Sequence, residues 1–186
     1  MQKKFNIDKI INQHIDVISM IKNHKNEIHE IAKLISNCFK KKGKLIGCGN
    51  GGSSSDASHF VAELIGRFKK NRKGFNAINL SADHAVTTAI SNDFGYENLF
   101  VKQIDSISNN KNDILFIIST SGNSLNIINA LKFCKSSGMK SIGILGGNGG
   151  KAKKLLNHSI IINSKVTARI QEAHITLIHI ICEFYE

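Results

Sequence analysis

Residues 113–118, DILFII, form a near-continuous apolar run without polar alternation. A strand with one wet face alternates apolar and polar side chains, whereas a strand buried on both faces reads as an unbroken run. The run therefore predicts a central strand of a parallel sheet. Such a sheet needs helices on both faces and a long crossover, usually helical, between parallel neighbours. The remaining sequence supplies both. Strands are predicted over 44–48, 77–80, 141–145 and 159–162, and helical periods over 84–90 (preceded by Asp83), 98–107, 125–137 and 167–185. Residues 91–95 (SNDFG) predict a break and 109–112 (NNKN) a polar loop.

Ahead of the first strand, Ile7, Ile10, Ile11, Ile15, Ile18 and Ile21 recur at helical spacing. After Asn23-His24-Lys25 the period resumes with Ile28, Ile31, Ala32, Ile35, Cys38 and Phe39. Two N-terminal helices follow from this, the first with an apolar stripe long enough to pack against a partner chain. The expected fold class is α/β, a three-layer α/β/α sandwich around a central parallel sheet, with N-terminal helices added. Its 186 residues make one domain, 1–42 given to the oligomerising helices and 43–186 to the α/β core.

Two strand-to-helix connections carry chemistry. In 44–67, KLIGCGNGGSSSDASHFVAELIGR, the glycines Gly49, Gly51 and Gly52 let backbone N–H groups approach a ligand. Ser53, Ser54 and Ser55 are natural N-cap residues, so the turn is expected to deliver an anion to a helix N-terminus. The spacing matches neither G-x-G-x-x-G nor the P-loop, so nucleotide binding is not the natural reading, and a plain tight connection is the alternative. His59 and Glu63 stand at i and i+4, where they can hold one metal ion or one substrate, or form a surface pair. Phe60, Val61, Leu64 and Ile65 crowd the same helix, so much of it must be buried, and a glutamate kept there needs a reason. The second connection, 119–124 (STSGNS), is rich in hydroxyls and suits an oxyanion, with Ser124 the expected N-cap. Ligands of open parallel sheets bind beyond the carboxyl ends of the strands, where both loops fall. The closing helix bears Gln171, Glu172, His174 and His179 among Ile170, Ile175, Leu177, Ile178 and Ile181.

The formal charge of +11 raises the question of nucleic acid. The lysines are dispersed, however, and their dense runs, 40–44 and 69–73, lie where helices are expected to end. No aromatic residues interleave with them as a platform for bases. The charge is read as a field that steers a small anion, with no nucleic-acid partner. Cys38, Cys48, Cys134 and Cys182 show no C-x-x-C spacing, which suits a reducing compartment. The start MQKKFNIDKI has no apolar leader, and no run approaches the roughly 20 residues that span a bilayer. A soluble cytoplasmic protein without a membrane partner is expected.

The segments GCGNGGSSSDASHFVAELIGRF, AISNDFGYE, STSGNS and TARIQEAHITLIHIICE, in this order, resemble the sugar isomerase (SIS) domain and specifically its phosphoheptose isomerase family. The resemblance runs through nearly the whole chain. It implies a SIS-type, flavodoxin-like fold, a homotetramer, and one zinc per subunit. It also implies conversion of sedoheptulose 7-phosphate to D-glycero-D-manno-heptose 7-phosphate for lipopolysaccharide or capsule. Carried over by position, zinc falls on His59, Glu63, Gln171 and His179, and catalysis on Glu63 and His179. Substrate contacts fall on Asn50, Gly51, Gly52, Ser53, Glu63, Arg67, Asn92, Asp93, Ser119, Thr120, Ser121, Ser124 and Gln171. The chain departs from the family's pattern at Ser54 and Ser55, where alanines are frequent, at Ser58, often Gln, and at Ala168, where some members carry Asp.

That chemistry suits the residues. Moving hydrogen between C1 and C2 of a sugar phosphate needs a base beside a carbonyl, an acid for an oxygen, and stabilisation of an enediolate. Glu63 fits the proton shuttle and His179 the acid, which also helps to open the ring. The alternatives are a non-catalytic SIS regulator, a replication-initiator partner, or an isomerase of another phosphosugar. Proteins resembling the non-catalytic branch lose the Glu and the final His, and this chain has both. Gln171 and His179 lie eight residues apart, about 12 Å along a helix and about 80° around it. Neighbouring subunits are therefore expected to contribute them to a site built at an interface.

Overall fold

The computed structural model describes residues 6–108 and 111–186. Asn109 and Asn110 of the expected loop, and the first five residues of the chain, lie outside the described residues. Five strands, β1 (Leu45–Gly49), β2 (Ala77–Asn79), β3 (Ile114–Ser119), β4 (Lys140–Gly146) and β5 (His158–Ile162), form one sheet in the order β2-β1-β3-β4-β5. Every neighbouring pair is parallel. From β1 the chain first builds outward to β2, then crosses back to place β3 on the other side. The loops after β1 and β3 thus flank the crevice where strand order reverses, the place where such sheets hold ligands.

Among the described residues seven α-helices surround the sheet: α1 (Ile7–Ser19), α2 (Lys25–Lys40), α3 (Gly52–Ile65), α4 (His84–Phe94), α5 (Leu99–Ile107), α6 (Leu125–Ser137) and α7 (Thr167–Glu183). The unbroken apolar run in β3 has a direct explanation. Ile114, Phe116 and Ile118 pack into the core beneath α2, α3 and α7, while Leu115 and Ile117 pack beneath α5 and α6. Both faces are covered, so neither set of alternate positions tolerates a polar side chain. Phe60 of α3 meets Phe116 with ring centroids 4.8 Å apart, which fixes α3 over the sheet. Each such buried large side chain contributes about 1.5–3 kcal/mol.

Two local expectations change and a third, the cap at Ser124, holds in position. Gly51, with φ +56°, is the N-cap of α3 and makes no side-chain cap bond, so Ser53, Ser54 and Ser55 lie inside the first turns. Ser124 does take the N-cap position of α6, but its side chain makes no cap bond. The helix expected to stop at residue 90 runs on through Asn92 and Asp93 to Phe94. Asp83 starts it by accepting from the Val86 N–H at 3.0 Å, and Gly95, with φ +84°, stops it. The weak helix preference of Asn and Asp, under about 0.7 kcal/mol each, does not outweigh a capped and propagating helix.

Helix α1 is held to α7 by polar contacts. His14 Nδ1 lies 2.7 Å from Glu172 Oε2, Arg169 Nη2 lies 2.5 Å from Glu172 Oε1, and Arg169 Nη1 donates to the Ile10 carbonyl at 3.0 Å. Arg169 therefore serves the helix packing, directly after the position where Ala168 replaces the Asp of some relatives. All four cysteines are buried and unpaired. Burial pushes the thiols of Cys38, Cys134 and Cys182 up to about 12, which leaves them as packing groups.

Candidate active site

The chain leaves β1 at Gly49 and turns through Asn50 and Gly51 into α3. Gly52 approaches α7 closely: a Cβ there would lie 2.1 Å from Gln171 Nε2, the tip of a flexible side chain. The two helices run side by side in the same direction. Two turns further along, His59 of α3 meets His179 of α7, with Nε2 atoms 3.2 Å apart and ring centroids 5.0 Å apart. Glu63 Oε1 lies 3.2 Å from His59 Nε2, its side chain 23% exposed and so open to a ligand. One chain thus brings His59, Glu63 and His179 together without a neighbour. Gln171 stands apart from them, against Gly52.

The loop after β3 is shaped by its own hydroxyls. Ser119 Oγ accepts from the Gly122 N–H at 3.0 Å, and Ser121 Oγ accepts from the Asn123 N–H at 3.2 Å. Each hydroxyl keeps its own O–H to donate to an anion. Gly122 has φ +62°, and a Cβ on it would lie 2.1 Å from the Gly149 carbonyl, so the loop after β4 is wedged beneath this one. Ser119 is buried, Thr120 and Ser124 are half-buried and Ser121 is exposed.

The two loops are tied by residues that sequence reasoning missed. Asn126, 2% exposed, exchanges reciprocal amide hydrogen bonds with Asn50, each 2.9 Å. Tyr96 adds a bond from its hydroxyl to Asn50 Oδ1 at 2.8 Å. The available signal was an asparagine set among Ile127, Ile128 and Leu131 on the inward side of α6, a place where a polar group needs a partner. Asp56, one turn before His59 on α3, was also missed. Its Oδ2 is buried without a hydrogen-bond partner, and burial pushes the carboxyl up to about 6 against the opposing pull of His59. Other expected contacts are not drawn into the cluster. Arg67 is exposed and reaches Asn71 at 3.3 Å, while Asn92 donates to Asp93 at 2.9 Å on the exposed side of α4.

Two imidazoles, a carboxylate and an amide are a fitting donor set for zinc. In a tetrahedral site with Zn–N bonds of about 2.0–2.1 Å, neighbouring ligand atoms lie about 3.3 Å apart. The 3.2 Å separations from His59 to His179 and to Glu63 are close to that edge. Both contacts share His59 Nε2, however, and among the described residues no three His, Cys, Asp or Glu side chains form a ready metal-holding group. The donors fit zinc in kind, and His179 and Glu63 fit it in their spacing from His59, but Gln171 stands apart and the set does not converge on one point.

A family model for the SIS domain matches residues 11–146, so the chain belongs to the SIS-domain family. Its relatives within that family are phosphoheptose isomerases, which are enzymes. It is 48% identical to the phosphoheptose isomerase of Helicobacter pylori (strain P12) over 87% of this chain and 82% of that one. With phosphoheptose isomerase 1 of Campylobacter jejuni the identity is 42%, over 97% and 96%. The structure superposes on a phosphoheptose isomerase from Francisella tularensis with a TM-score of 0.86 at 34% identity, covering 96% of each chain. For the Neisseria gonorrhoeae enzyme the TM-score is 0.88 at 35% identity, covering 95% of each chain.

Proposed function

We propose that this chain isomerises sedoheptulose 7-phosphate to D-glycero-D-manno-heptose 7-phosphate, a precursor for lipopolysaccharide or capsule. The observation that carries the chemistry is the meeting of Glu63, His59 and His179 between α3 and α7. The Glu63 carboxylate takes the proton from C1 of the open-chain ketose and returns it to C2. His179 gives a proton to the C2 oxygen as negative charge develops there, and the neutral imidazole so formed takes the hydroxyl proton from O1 as the aldehyde forms, which restores both groups. His59 holds the carboxylate in place. His59, Glu63 and His179 would hold a zinc ion, with Gln171 the fourth ligand of the proposed set, and zinc supplies Lewis-acid polarisation of substrate oxygens when bound. The remaining sequence-derived contacts hold the phosphate and the intermediate hydroxyls: Ser119, Thr120, Ser121 and Ser124 at the phosphate, with Asn50 and the Gly51–Ser53 turn beside them.

The assembly we propose is a homotetramer in the cytoplasm. Two observations support an interface-built site. Ile7, Ile11 and Ile15 leave an apolar stripe of α1 exposed, at 61%, 51% and 53%. Glu63 also lies eleven residues beyond Gly52 on α3, about 16 Å along the axis, a wide gap for one heptose phosphate to bridge within a single chain. Among the described residues no helix is long and apolar enough to cross a membrane.

The test is to incubate the purified protein with sedoheptulose 7-phosphate, fructose 6-phosphate and ribulose 5-phosphate and follow aldose formation. The heptulose phosphate is expected to turn over far faster, because a misplacement of about 1 Å can cost about 100-fold. Equal rates would remove the heptose assignment. No turnover of any would favour a regulatory role.

A further inference from the structure

Helix α3, which carries Glu63, ends at Gly66, where φ −80° and ψ −122° give no left-handed cap. Helix ends leave carbonyls without intrahelical partners, and those near Glu63 must be satisfied from elsewhere. Arg72 supplies the donors. Its Nη2 donates to the Glu63 carbonyl at 2.8 Å, and its Nη1 to the Leu64 carbonyl at 2.9 Å and more weakly to Gly66 at 3.4 Å. The guanidinium lies over the Phe75 ring at 4.3 Å, and the Phe75 N–H also donates to the Leu64 carbonyl, at 3.0 Å.

The same segment is fastened to the end of α7, the helix that carries His179. Lys69 pairs with Glu183, the Lys70 N–H donates to Glu186 Oε2 at 2.5 Å, and Arg72 Nε faces Glu186 Oε1 at 3.9 Å. Only 16% of the Arg72 side chain is exposed. A lone solvated arginine would do little, but a planar fork aimed at consecutive carbonyls of a helix end fixes that end in position and angle.

We infer that Arg72 is a positioning residue for the isomerisation: from the 67–75 segment it locks the end of α3 to the end of α7 and so sets the separation of Glu63 from His179. The inference rests on the proposed roles of those two side chains. It goes beyond them by assigning a function to a residue that touches neither substrate nor reacting atoms.

The experiment compares Arg72→Ala, Arg72→Lys and Glu63→Gln, each assayed with sedoheptulose 7-phosphate alongside its thermal midpoint and its size by light scattering. For the two Arg72 variants, kcat is expected to fall about tenfold to 100-fold while KM stays within about twofold, because substrate contacts are untouched. Millimolar guanidinium should recover part of the kcat of Arg72→Ala and leave the wild type unchanged. A purely structural role predicts no such recovery. Wild-type kcat in folded Arg72→Ala, a rise in KM at unchanged kcat, or no response to guanidinium overturns the inference. If Arg72→Ala does not fold, Arg72→Lys decides, since lysine keeps the charge but cannot fork: a lowered kcat supports the strap and an unchanged one overturns it. A fully active Glu63→Gln overturns both readings, whereas an inactive Glu63→Gln beside a fully active Arg72→Ala overturns the strap alone.

Discussion

Replacing Gly52 by alanine adds one methyl group at the contact between the glycine loop and α7. The new Cβ would lie 2.1 Å from Gln171 Nε2 and 2.9 Å from its Cδ, whereas ordinary contact begins at 3.4 Å. The amide must therefore retreat by about 1.3 Å, since a flexible side-chain tip yields more readily than the packed backbones of α3 and α7. Gly52 does not have a positive φ, so alanine fits its backbone without strain. The substitution should leave stability unchanged, or raise it by up to about 1 kcal/mol through lower entropy of the unfolded chain. If Gln171 holds substrate or metal, a displacement of that size costs about 100-fold in kcat/KM. The assay is steady-state turnover of sedoheptulose 7-phosphate beside urea denaturation, for Gly52→Ala, Gln171→Ala and the double variant. Because the methyl acts through Gln171, the double variant should be no worse than Gln171→Ala alone. Wild-type kcat/KM in Gly52→Ala would refute the reasoning, and so would fully additive losses in the double variant.

Glu63→Gln and His179→Ala are each expected to lose about 10²–10⁴ in kcat with size and folding intact, measured by the same turnover assay and by light scattering. Protein purified without a metal-binding tag should contain near-stoichiometric zinc by elemental analysis, and His59→Ala should lose that metal whether or not activity is measured. His174 is fully buried, and burial pulls its pKa from 6.5 down to about 4 against the smaller opposing pull of the Leu145 backbone. Between those values the unfolded chain binds the proton more readily than the folded one. Stability is therefore complete above about pH 6.5 and falls as the pH drops toward 4, by on the order of 3 kcal/mol in all. Urea unfolding at a series of pH values should show this slope for the wild type and a flatter one for His174→Leu.

The layered parallel architecture was legible in residues 113–118, because a strand covered on both faces cannot hide a polar position and so leaves an unbroken apolar run. The i, i+4 spacing of His59 and Glu63 was legible for a similar reason: helical geometry alone puts them on one face. Local pattern went wrong at residues 91–95, where a cap at Asp83 and a stop at Gly95 outweighed the poor helix formers between them. What no local pattern contained was which side chain would face which across the gap between α3 and α7. Sequence separation suggested that Gln171 and His179 would come from different subunits; within one chain His179 meets His59, because α7 lies parallel to α3 with a similar residue spacing, while Gln171 stays apart against Gly52. The pairing of Asn50 with Asn126 and the grip of Arg72 on the carbonyls of α3 join residues 76 and 9 positions apart across turns. Such contacts depend on how packed elements are set against each other, which the period of a sequence does not encode and only the assembled core decides.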